Sequence, residues 1–233
     1  TPHTLDGDKC TVIGGVSDKG YVLAQTMDIP PWSDGLQVAL HHKPSNGSPD
    51  YFAFTMAGMS LLTGVNAAGI GVCPNLVIQL NGSETGVPVI AILHHVLAQT
   101  SFAAAKHGVE QTHHASGQAY TIGSREGIAP YEGSANDVVL CGYEWLSDNI
   151  TAHTNHPLAS TDLRPAHPDG ESDSHRLRRI SDSSYSRLVA AHKSLAVAGP
   201  QPSYQQYKDV LSDRTAPISL GLKDSHDDPS ISY

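Results

Sequence analysis

Short apolar runs separated by clusters of turn-forming residues fill the first part of the chain, and this pattern predicts β-hairpins. Residues 10–16 are apolar and rich in β-branched side chains, residues 17–20 (SDKG) carry a turn signal, and residues 21–29 are mostly apolar again. Residues 36–43 and 51–58 repeat this arrangement on either side of a segment rich in Pro, Asn and Gly. Apolar runs that flank such turns are typical of paired antiparallel strands.

The period of the pattern changes after two further predicted strands, at residues 60–66 and 70–78. Residues 87–99 are long, apolar and free of proline after their second position, which predicts a buried helix. Residues 101–111 predict a second helix, and Ser101 stands at its N-cap position.

The second half of the chain predicts strands first and helices afterwards. Residues 117–125 and 136–146 have strand-like patterns, and residues 158–175 are polar, rich in Pro and Asp, and predicted to form a surface loop. Residues 173–197 and 203–213 predict helices, with prolines between them. Two strand-rich blocks around a helical block favour an α+β fold with layered sheets and helices, and no second domain is predicted.

The last residues, 227–233 (DDPSISY), begin a new alternating pattern. A sheet that ended there would expose an edge strand. We therefore hold open that a second polypeptide from the same precursor supplies further strands and completes the fold.

Composition and charge exclude several classes of partner. The formal net charge of −9 argues against binding to nucleic acid or to an anionic membrane surface. No apolar run approaches the ~20 residues that a membrane-spanning helix needs, so we predict no membrane insertion. Nothing in the composition decides the compartment.

Metal and disulfide chemistry are not predicted either. Cys10, Cys73 and Cys141 are too widely spaced for a disulfide framework or a zinc motif. The chain has 14 histidines, but neighbouring histidines on a strand point to opposite faces, and no zinc-binding histidine motif accompanies them. We predict neither a metal nor an organic cofactor, and we expect Cys73 and Cys141 to be small core residues.

Cys10 offers two interpretations. It can be a small apolar residue at the start of a strand, or a nucleophile whose general base is its own α-amino group. That amine has a pKa of ~8 and exists only after the peptide bond between Lys9 and Cys10 is cut. Under the second interpretation, residues 1–9 are the end of a propeptide or linker and residues 10–233 are the catalytic domain. Asp28 ends the second strand of the first hairpin, so it can lie beside Cys10.

An ordered set of motifs resembles the isopenicillin N acyltransferase type of N-terminal-nucleophile (Ntn) hydrolase, a relative of choloylglycine hydrolases and penicillin V acylases. The set comprises DGDKCT (6–11), QTMDI (25–29), GVNAAGIGVCPNL (64–76), TGVPVIAILHHVLAQTSFAAA (85–105) and HTNHPL (153–158). Each motif by itself is weakly specific, whereas their common order and family-like spacing are specific. The resemblance implies a four-layer αββα sandwich of the Ntn-hydrolase type, in which C-terminal strands can be missing from this chain.

The resemblance also implies the roles of individual residues. Cys10 is expected to be the nucleophile, and Asp28 is expected to orient and polarise its freed amine. Asn155 is expected to donate to the oxyanion, Asn75 to complete the oxyanion hole, and Arg187 to steady the region around the nucleophile. The expected activation is autocatalytic cleavage of a zymogen between Lys9 and Cys10.

Simpler interpretations stay open for four of these residues. Asp28 can be a turn residue, Asn75 can cap the turn after the proline before it, Asn155 can be a loop asparagine that bonds its own backbone, and Arg187 can be a surface charge. Choloylglycine hydrolases carry an arginine at the position of Gln25, so the sequence favours the acyltransferase branch.

The predicted function is therefore an acyltransferase or amidohydrolase that acts on C–N amide bonds through an S-acyl intermediate. Its partner would be a small-molecule acyl amide or acyl donor. One alternative is a hydrolase of N-acyl amino acids or other acyl amides. An alternative of another class is an uncleaved, non-catalytic binding protein on the same fold.

Overall fold

The strands of the protein form two antiparallel sheets. The structure is a computed structural model that describes residues 9–29, 31–142, 149–165, 171–214, 218 and 231–232. The first sheet contains the strands, in spatial order, β10 (Ile150–His153), β1 (Lys9–Ser17), β2 (Gly20–Ile29) and β11 (Ile231–Ser232). The second sheet follows chain order and contains β3 (Gln37–His42), β4 (Tyr51–Met56), β5 (Thr63–Asn66), β6 (Gly71–Leu76), β7 (Gln118–Ser124), β8 (Gly127–Gly133) and β9 (Val138–Leu140).

In the part of the chain that the structure describes, four α-helices pack against the sheets and one short 3-10 helix follows β2. They are the 3-10 helix Pro31–Ser33, α1 (Val89–Leu97), α2 (Phe102–Glu110), α3 (Glu171–Ala198) and α4 (Tyr204–Ser212). The Ser101 side chain accepts a hydrogen bond from the backbone N–H of Ala104 at 3.2 Å, which confirms the predicted N-cap of α2.

Two hydrophobic cores fix the order of the layers. On the outer face of the second sheet, Val72 and Ile122 pack with Leu93 and Val109 of α1 and α2. On the outer face of the first sheet, Ile13 and Ile150 pack with buried side chains of α3 and α4, which include Leu188, Ala191, Leu195, Tyr207 and Val210. The order of layers is thus α1/α2, second sheet, first sheet, α3/α4, which confirms the predicted α+β fold and its αββα sandwich.

A mixed polar and apolar layer separates the two sheets. Because side chains alternate along a strand, the residues next to those in the outer cores point between the sheets. We call the resulting set the inter-sheet layer. It includes the half-buried Gln25 and the buried residues Cys10, Val12, Cys73, Asn75, Thr121, Glu132 and His153. Five of these side chains are polar, and each needs a hydrogen-bonding partner in so buried a place.

Most of the predicted elements exist, but the structure adds two strands, β8 and β10, and starts one helix earlier than predicted. Residues 127–133 form β8, although the hydrophobic pattern does not predict a strand there. The reason is Pro130, since proline is rare inside strands and makes the pattern look interrupted. The predicted loop at 158–175 is wrong at its end, since α3 already begins at Glu171. Acidic residues such as Glu171 and Asp173 look loop-like in a sequence but are favourable in the first turn of a helix.

Some predictions concern parts of the chain outside the described residues. Residues 1–8 and 143–148 are among these, so the proposed propeptide end and the last part of the strand predicted at 136–146 cannot be placed. Near the C-terminus, β11 forms within the predicted alternating segment and pairs with Asp28 and Ile29 of β2. The contribution of a second polypeptide stays a prediction. Among the described residues, no helix combines the length and the apolar character that crossing a membrane would require.

Candidate active site

The first hairpin places Cys10 and Asp28 one step apart in the strand register. Cys10 pairs with Met27, and Lys9 pairs with Asp28. Residues directly opposite each other in an antiparallel pair share a face, so Asp28 points towards α3 whereas Cys10 points into the inter-sheet layer. Both are buried, with 8% of Cys10 and 2% of Asp28 exposed. Asp28 lies within β2, so its interpretation as a turn residue is wrong.

Asn155 lies just beyond β10 and contacts the backbone of Cys10. Its Oδ1 accepts a hydrogen bond from the Cys10 N–H at 2.7 Å, and its Nδ2 donates to the Leu76 carbonyl at 2.9 Å. Asn155 is therefore a buried link between β1 and β6 and not a loop asparagine that bonds its own backbone. A primary amide has two N–H hydrogens, so one donor on Nδ2 remains for a ligand.

Arg187 approaches Cys10 from α3. Its Nη1 donates to the Cys10 carbonyl at 2.5 Å and to Thr11 Oγ1 at 3.0 Å, and its Nη2 donates to Asn155 Oδ1 at 2.9 Å. The side chain is only 1% exposed, so the interpretation of Arg187 as a surface charge is wrong. Burial lowers the pKa of Arg187, and the negative charges of Asp28 and Cys10 oppose that change. A guanidinium stays protonated in proteins, so the site has a permanent positive charge.

Asn75 occupies the inter-sheet layer on the opposite sheet. It lies inside β6 and is fully buried, so it does not cap a turn. Its Nδ2 donates a long hydrogen bond of 3.5 Å to the His153 carbonyl, so this contact links β6 to the end of β10. Among the described residues, no group bonds Asn75 Oδ1 or Gln25 Oε1, although both atoms are buried.

Gln25 is the residue that departs from the choloylglycine hydrolase pattern, and it also reaches the second sheet. Its Nε2 donates to the Pro74 carbonyl at 2.5 Å. Gln25 and Asn75 therefore present two buried amide oxygens beside the same β6 segment. Such oxygens accept hydrogen bonds from N–H groups.

Two further residues, Ser184 and Thr11, contact the candidate site although neither is among the predicted site residues. Ser184 Oγ accepts a hydrogen bond from the Asn155 N–H at 2.6 Å and donates to Thr154 Oγ1 at 2.9 Å. Ser184 precedes Arg187 by three positions on α3, so both point to the same side of the helix. That helical spacing could have identified Ser184 once Arg187 had been chosen. Thr11, which Arg187 also contacts, directly follows Cys10 in the sequence.

Comparisons with known proteins place the chain in a family. The sequence model of the family described as acyl-coenzyme A:6-aminopenicillanic acid acyl-transferase matches residues 16–231. The chain belongs to this family. The match covers Asp28, Asn75, Asn155 and Arg187 and begins after Cys10.

Solved structures show the same fold in other members of the Ntn group. An N-acylethanolamine-hydrolyzing acid amidase ortholog from Caenorhabditis elegans has a TM-score of 0.60 and 14% identity, over 95% of this chain and 98% of that one. A mutant of the conjugated bile acid hydrolase from Clostridium perfringens has a TM-score of 0.60 and 12% identity, over 96% of this chain and 83% of that one. At these identities the likeness shows the fold. The sequence of the chain has no match among curated proteins.

Family membership confirms the resemblance to Ntn enzymes that transfer acyl groups or hydrolyse amides. The other two cysteines of this acyl-transferase family member are poor nucleophiles. Burial raises the pKa of the Cys73 thiol to about 12, despite a hydrogen bond with Thr63 that lowers it. Burial also raises the pKa of Cys141, and the charge and hydrogen bond of Glu132 raise it further. A thiol must ionise to attack.

One cluster of the described residues has the side chains that a metal ion uses. The ligand atoms of Glu132, Cys141 and His153 lie within 4.8 Å of one another, and all three residues are buried. The carboxylate of Glu132, however, already accepts hydrogen bonds from His153 and from the backbone N–H groups of residues 158–160. A metal would have to displace several of these bonds.

Proposed function

We propose that the chain is a cysteine enzyme that acts on C–N amide bonds through an S-acyl intermediate on Cys10. The observation that carries the proposal is the pair of contacts that hold both backbone polar groups of Cys10. Asn155 binds its N–H at 2.7 Å, and Arg187 binds its carbonyl at 2.5 Å. Preorganised polar groups around one residue are typical of a reaction centre.

Cleavage between Lys9 and Cys10 would turn the backbone N–H that Asn155 binds into an α-amino group. That amine would lie between Asn155 Oδ1 and the strand position of Asp28, which pairs with Lys9. A neighbouring carboxylate favours the protonated form of an amine and raises its basicity. We propose that the cleavage is autocatalytic, with the precursor as a zymogen.

The reaction would then proceed in two steps. The amine accepts the proton of the Cys10 thiol while sulfur attacks the carbonyl carbon of the substrate, which forms a tetrahedral oxyanion. The remaining Nδ2 donor of Asn155 and the Nδ2 of Asn75 would bind that oxyanion. The C–N bond breaks, the leaving amine takes the proton from the α-ammonium group, and an S-acyl enzyme remains. Water or an acceptor amine then attacks the thioester and releases Cys10.

The buried amide oxygens favour a substrate that carries N–H groups. Gln25 Oε1 and Asn75 Oδ1 are acceptors in the inter-sheet layer, and an ester of the same shape would offer them no donor. We therefore propose a small-molecule acyl amide as substrate. Water as the final acceptor would make the protein a hydrolase of N-acyl amino acids or other acyl amides.

Intact mass measurement and N-terminal sequencing of the active preparation test this proposal. We expect the active chain to begin at Cys10. We expect Cys10→Ser to slow or stop cleavage and to abolish turnover of an N-acyl-7-amino-4-methylcoumarin series with short to long acyl chains. The matched control is Cys73→Ser, which changes a buried thiol of the same layer. This variant should keep both the cleavage and the turnover of the wild type. A complete Lys9–Cys10 bond in fully active protein, or full turnover in Cys10→Ser, would contradict the mechanism. An intact bond without any turnover would support a non-catalytic protein.

A further inference from the structure

Glu132 and His153 form a buried ion pair that joins the two sheets. His153 Nε2 lies 2.8 Å from Glu132 Oε1, and the side chains are 1% and 0% exposed. Glu132 belongs to β8 of the second sheet, and His153 ends β10 of the first. The pair therefore crosses the inter-sheet layer in which Cys10 lies.

The His153 ring is held at both of its nitrogens. Its Nδ1 lies 2.7 Å from the Thr154 carbonyl, which can only accept a hydrogen bond. Its Nε2 faces the Glu132 carboxylate, which also accepts. Both ring nitrogens therefore face oxygen atoms, and these two contacts fix the orientation of the His153 ring.

Glu132 also holds the chain segment that follows Asn155. Its Oε1 accepts the Leu158 N–H at 2.6 Å, and its Oε2 accepts the N–H groups of Ala159 and Ser160 at 3.0 and 2.7 Å. Asn155 thus lies between two anchors of one carboxylate, His153 on one side and residues 158–160 on the other. Charge-assisted hydrogen bonds of this kind are short and strong.

The same pair reaches Asn75. In the second sheet, Asn75 pairs with Ala119, and Ala119 pairs with Glu132, so the three lie in one row on the same face. The backbone carbonyl of His153 accepts the long hydrogen bond from Asn75 Nδ2. His153 therefore bonds Asn75 directly, and the same ion pair fixes the chain on both sides of Asn155.

We propose that Glu132 and His153 are positioning residues that hold Asn155 and Asn75 in the geometry that binds the oxyanion of the reaction. The inference rests on the proposed function. The two donors are attached to different sheets, and the Glu132–His153 pair connects those sheets. Neither residue touches the reacting atoms.

Glu132→Gln tests the proposal because it keeps the shape of the side chain and removes its charge. The new amide would present N–H groups to backbone N–H groups, so segment 158–160 and Asn155 should shift. With the most rapidly cleaved member of the acyl-coumarin series, we expect kcat to fall by about 10- to 100-fold. This loss is smaller than the decrease of about 10²–10³-fold that removal of an oxyanion-hole donor typically causes. We expect KM to change by less than about threefold, since ground-state binding needs no oxyanion.

Alkylation of Cys10 by iodoacetamide separates positioning from a general structural defect. Alkylation forms no oxyanion, so its rate should stay within about twofold in Glu132→Gln while acyl transfer falls. The matched control is Glu110→Gln, which removes an exposed carboxylate bonded to Tyr131 and should change neither rate. If Glu132→Gln does not fold, Glu132→Asp keeps the charge with a shorter reach and should show a smaller loss of kcat.

Crystal structures of the wild type and the variant decide the inference independently of turnover. In Glu132→Gln, the distance between Asn155 Nδ2 and the Leu76 carbonyl should lengthen beyond hydrogen-bonding range, whereas Asn155 Oδ1 should stay bonded to the Cys10 nitrogen. A wild type without turnover would contradict the proposed function, while this distance would still test the positioning. Three results would overturn the inference. The first is a Glu132→Gln variant with the kcat and the geometry of the wild type. The second is a loss of alkylation rate as large as the loss of acyl transfer. The third is a wild type that contains one zinc ion per chain, which is absent from Glu132→Gln.

Discussion

Arg187 Nη2 and Asn155 Oδ1 lie 2.9 Å apart, and through this contact one helix and one strand end jointly hold the backbone of Cys10. The arginine binds the Cys10 carbonyl and the asparagine binds its N–H. The Asn155 oxygen therefore accepts two hydrogen bonds, which uses both of its lone pairs. Since this oxygen is saturated, only the amide nitrogen of Asn155 can serve a substrate.

Arg187→Lys should destabilise the protein. A single ammonium cannot reach the Cys10 carbonyl, Thr11 and Asn155 together, so at least one buried acceptor loses its partner. We expect the free energy of unfolding to fall by about 1–3 kcal/mol, measured by urea denaturation. Arg125→Lys, on the exposed turn before β8, is the control and should change it by less than ~0.5 kcal/mol. Equal stabilities of the two variants would contradict the role of the guanidinium fork.

Asn155→Asp should remove the amide donor that the proposed oxyanion hole needs. The carboxylate keeps the contacts of Oδ1 with Cys10 and Arg187 but loses the Nδ2 donor that faces Leu76 and the ligand. We expect kcat to fall by about 10²–10³-fold, measured with the acyl-coumarin substrates.

The control for this change is Asn46→Asp, in an exposed turn where the side chain binds the Ser48 N–H through oxygen alone. It should leave kcat unchanged. Wild-type turnover in Asn155→Asp protein that begins at Cys10 would exclude Asn155 from the oxyanion hole.

Gly117→Ala should disturb residues 77–80, the segment that directly follows β6. A Cβ at this position would lie 2.4 Å from the Val77 carbonyl and 2.6 Å from Leu80 Cβ, and neither neighbour is the end of a flexible side chain. We expect a loss of about 1–3 kcal/mol in the free energy of unfolding. Gly127→Ala is the control, because its Cβ would lie 3.3 Å from the ring of Phe102 and requires only a small adjustment. A Gly117→Ala variant as stable as the control would contradict the close approach.

His156 should make the protein sensitive to mild acid. Burial lowers the pKa of His156 from 6.5 to about 4. The charges of His153 and Arg187 lower this pKa further, and the charge of Glu132 opposes them. As the pH falls, the unfolded chain therefore binds the proton first. The stability that neutral His156 contributes is complete above pH 6.5 and is lost as the pH falls towards 4.

Urea denaturation at several pH values between these limits tests this prediction. The free energy of unfolding should decline less steeply with falling pH in His156→Gln than in the wild type. His107→Gln, an exposed change on α2, should keep the wild-type slope. Parallel slopes for the wild type and His156→Gln would show that His156 does not contribute.

Local pattern was sufficient for most of the fold. The hairpin of β1 and β2 follows from two apolar runs around SDKG, and the start of α2 follows from Ser101. Turns, caps and periodicity act between residues that are close in sequence, so a sequence displays them directly. The omission of β8 has the same origin, since Pro130 disturbs the local signal although the strand pairs on both sides.

The residues of the candidate site also differ in whether a local pattern could identify them. Because a hairpin is a local structure, the pattern alone brought Cys10 and Asp28 together. Asn75, Asn155 and Arg187 entered only through the family resemblance, which no periodicity would have replaced.

The sequence by itself therefore determined the layers of the fold, the family and the candidate nucleophile. Only the tertiary structure decided which atom of Asn155 meets Cys10, 145 residues away, and that Glu132 and His153 form an ion pair between the sheets. The physical reason is that a hydrogen bond depends on positions within a few tenths of an ångström. Such positions are set when sheets and helices pack against one another, and the order of residues along the chain does not contain them explicitly.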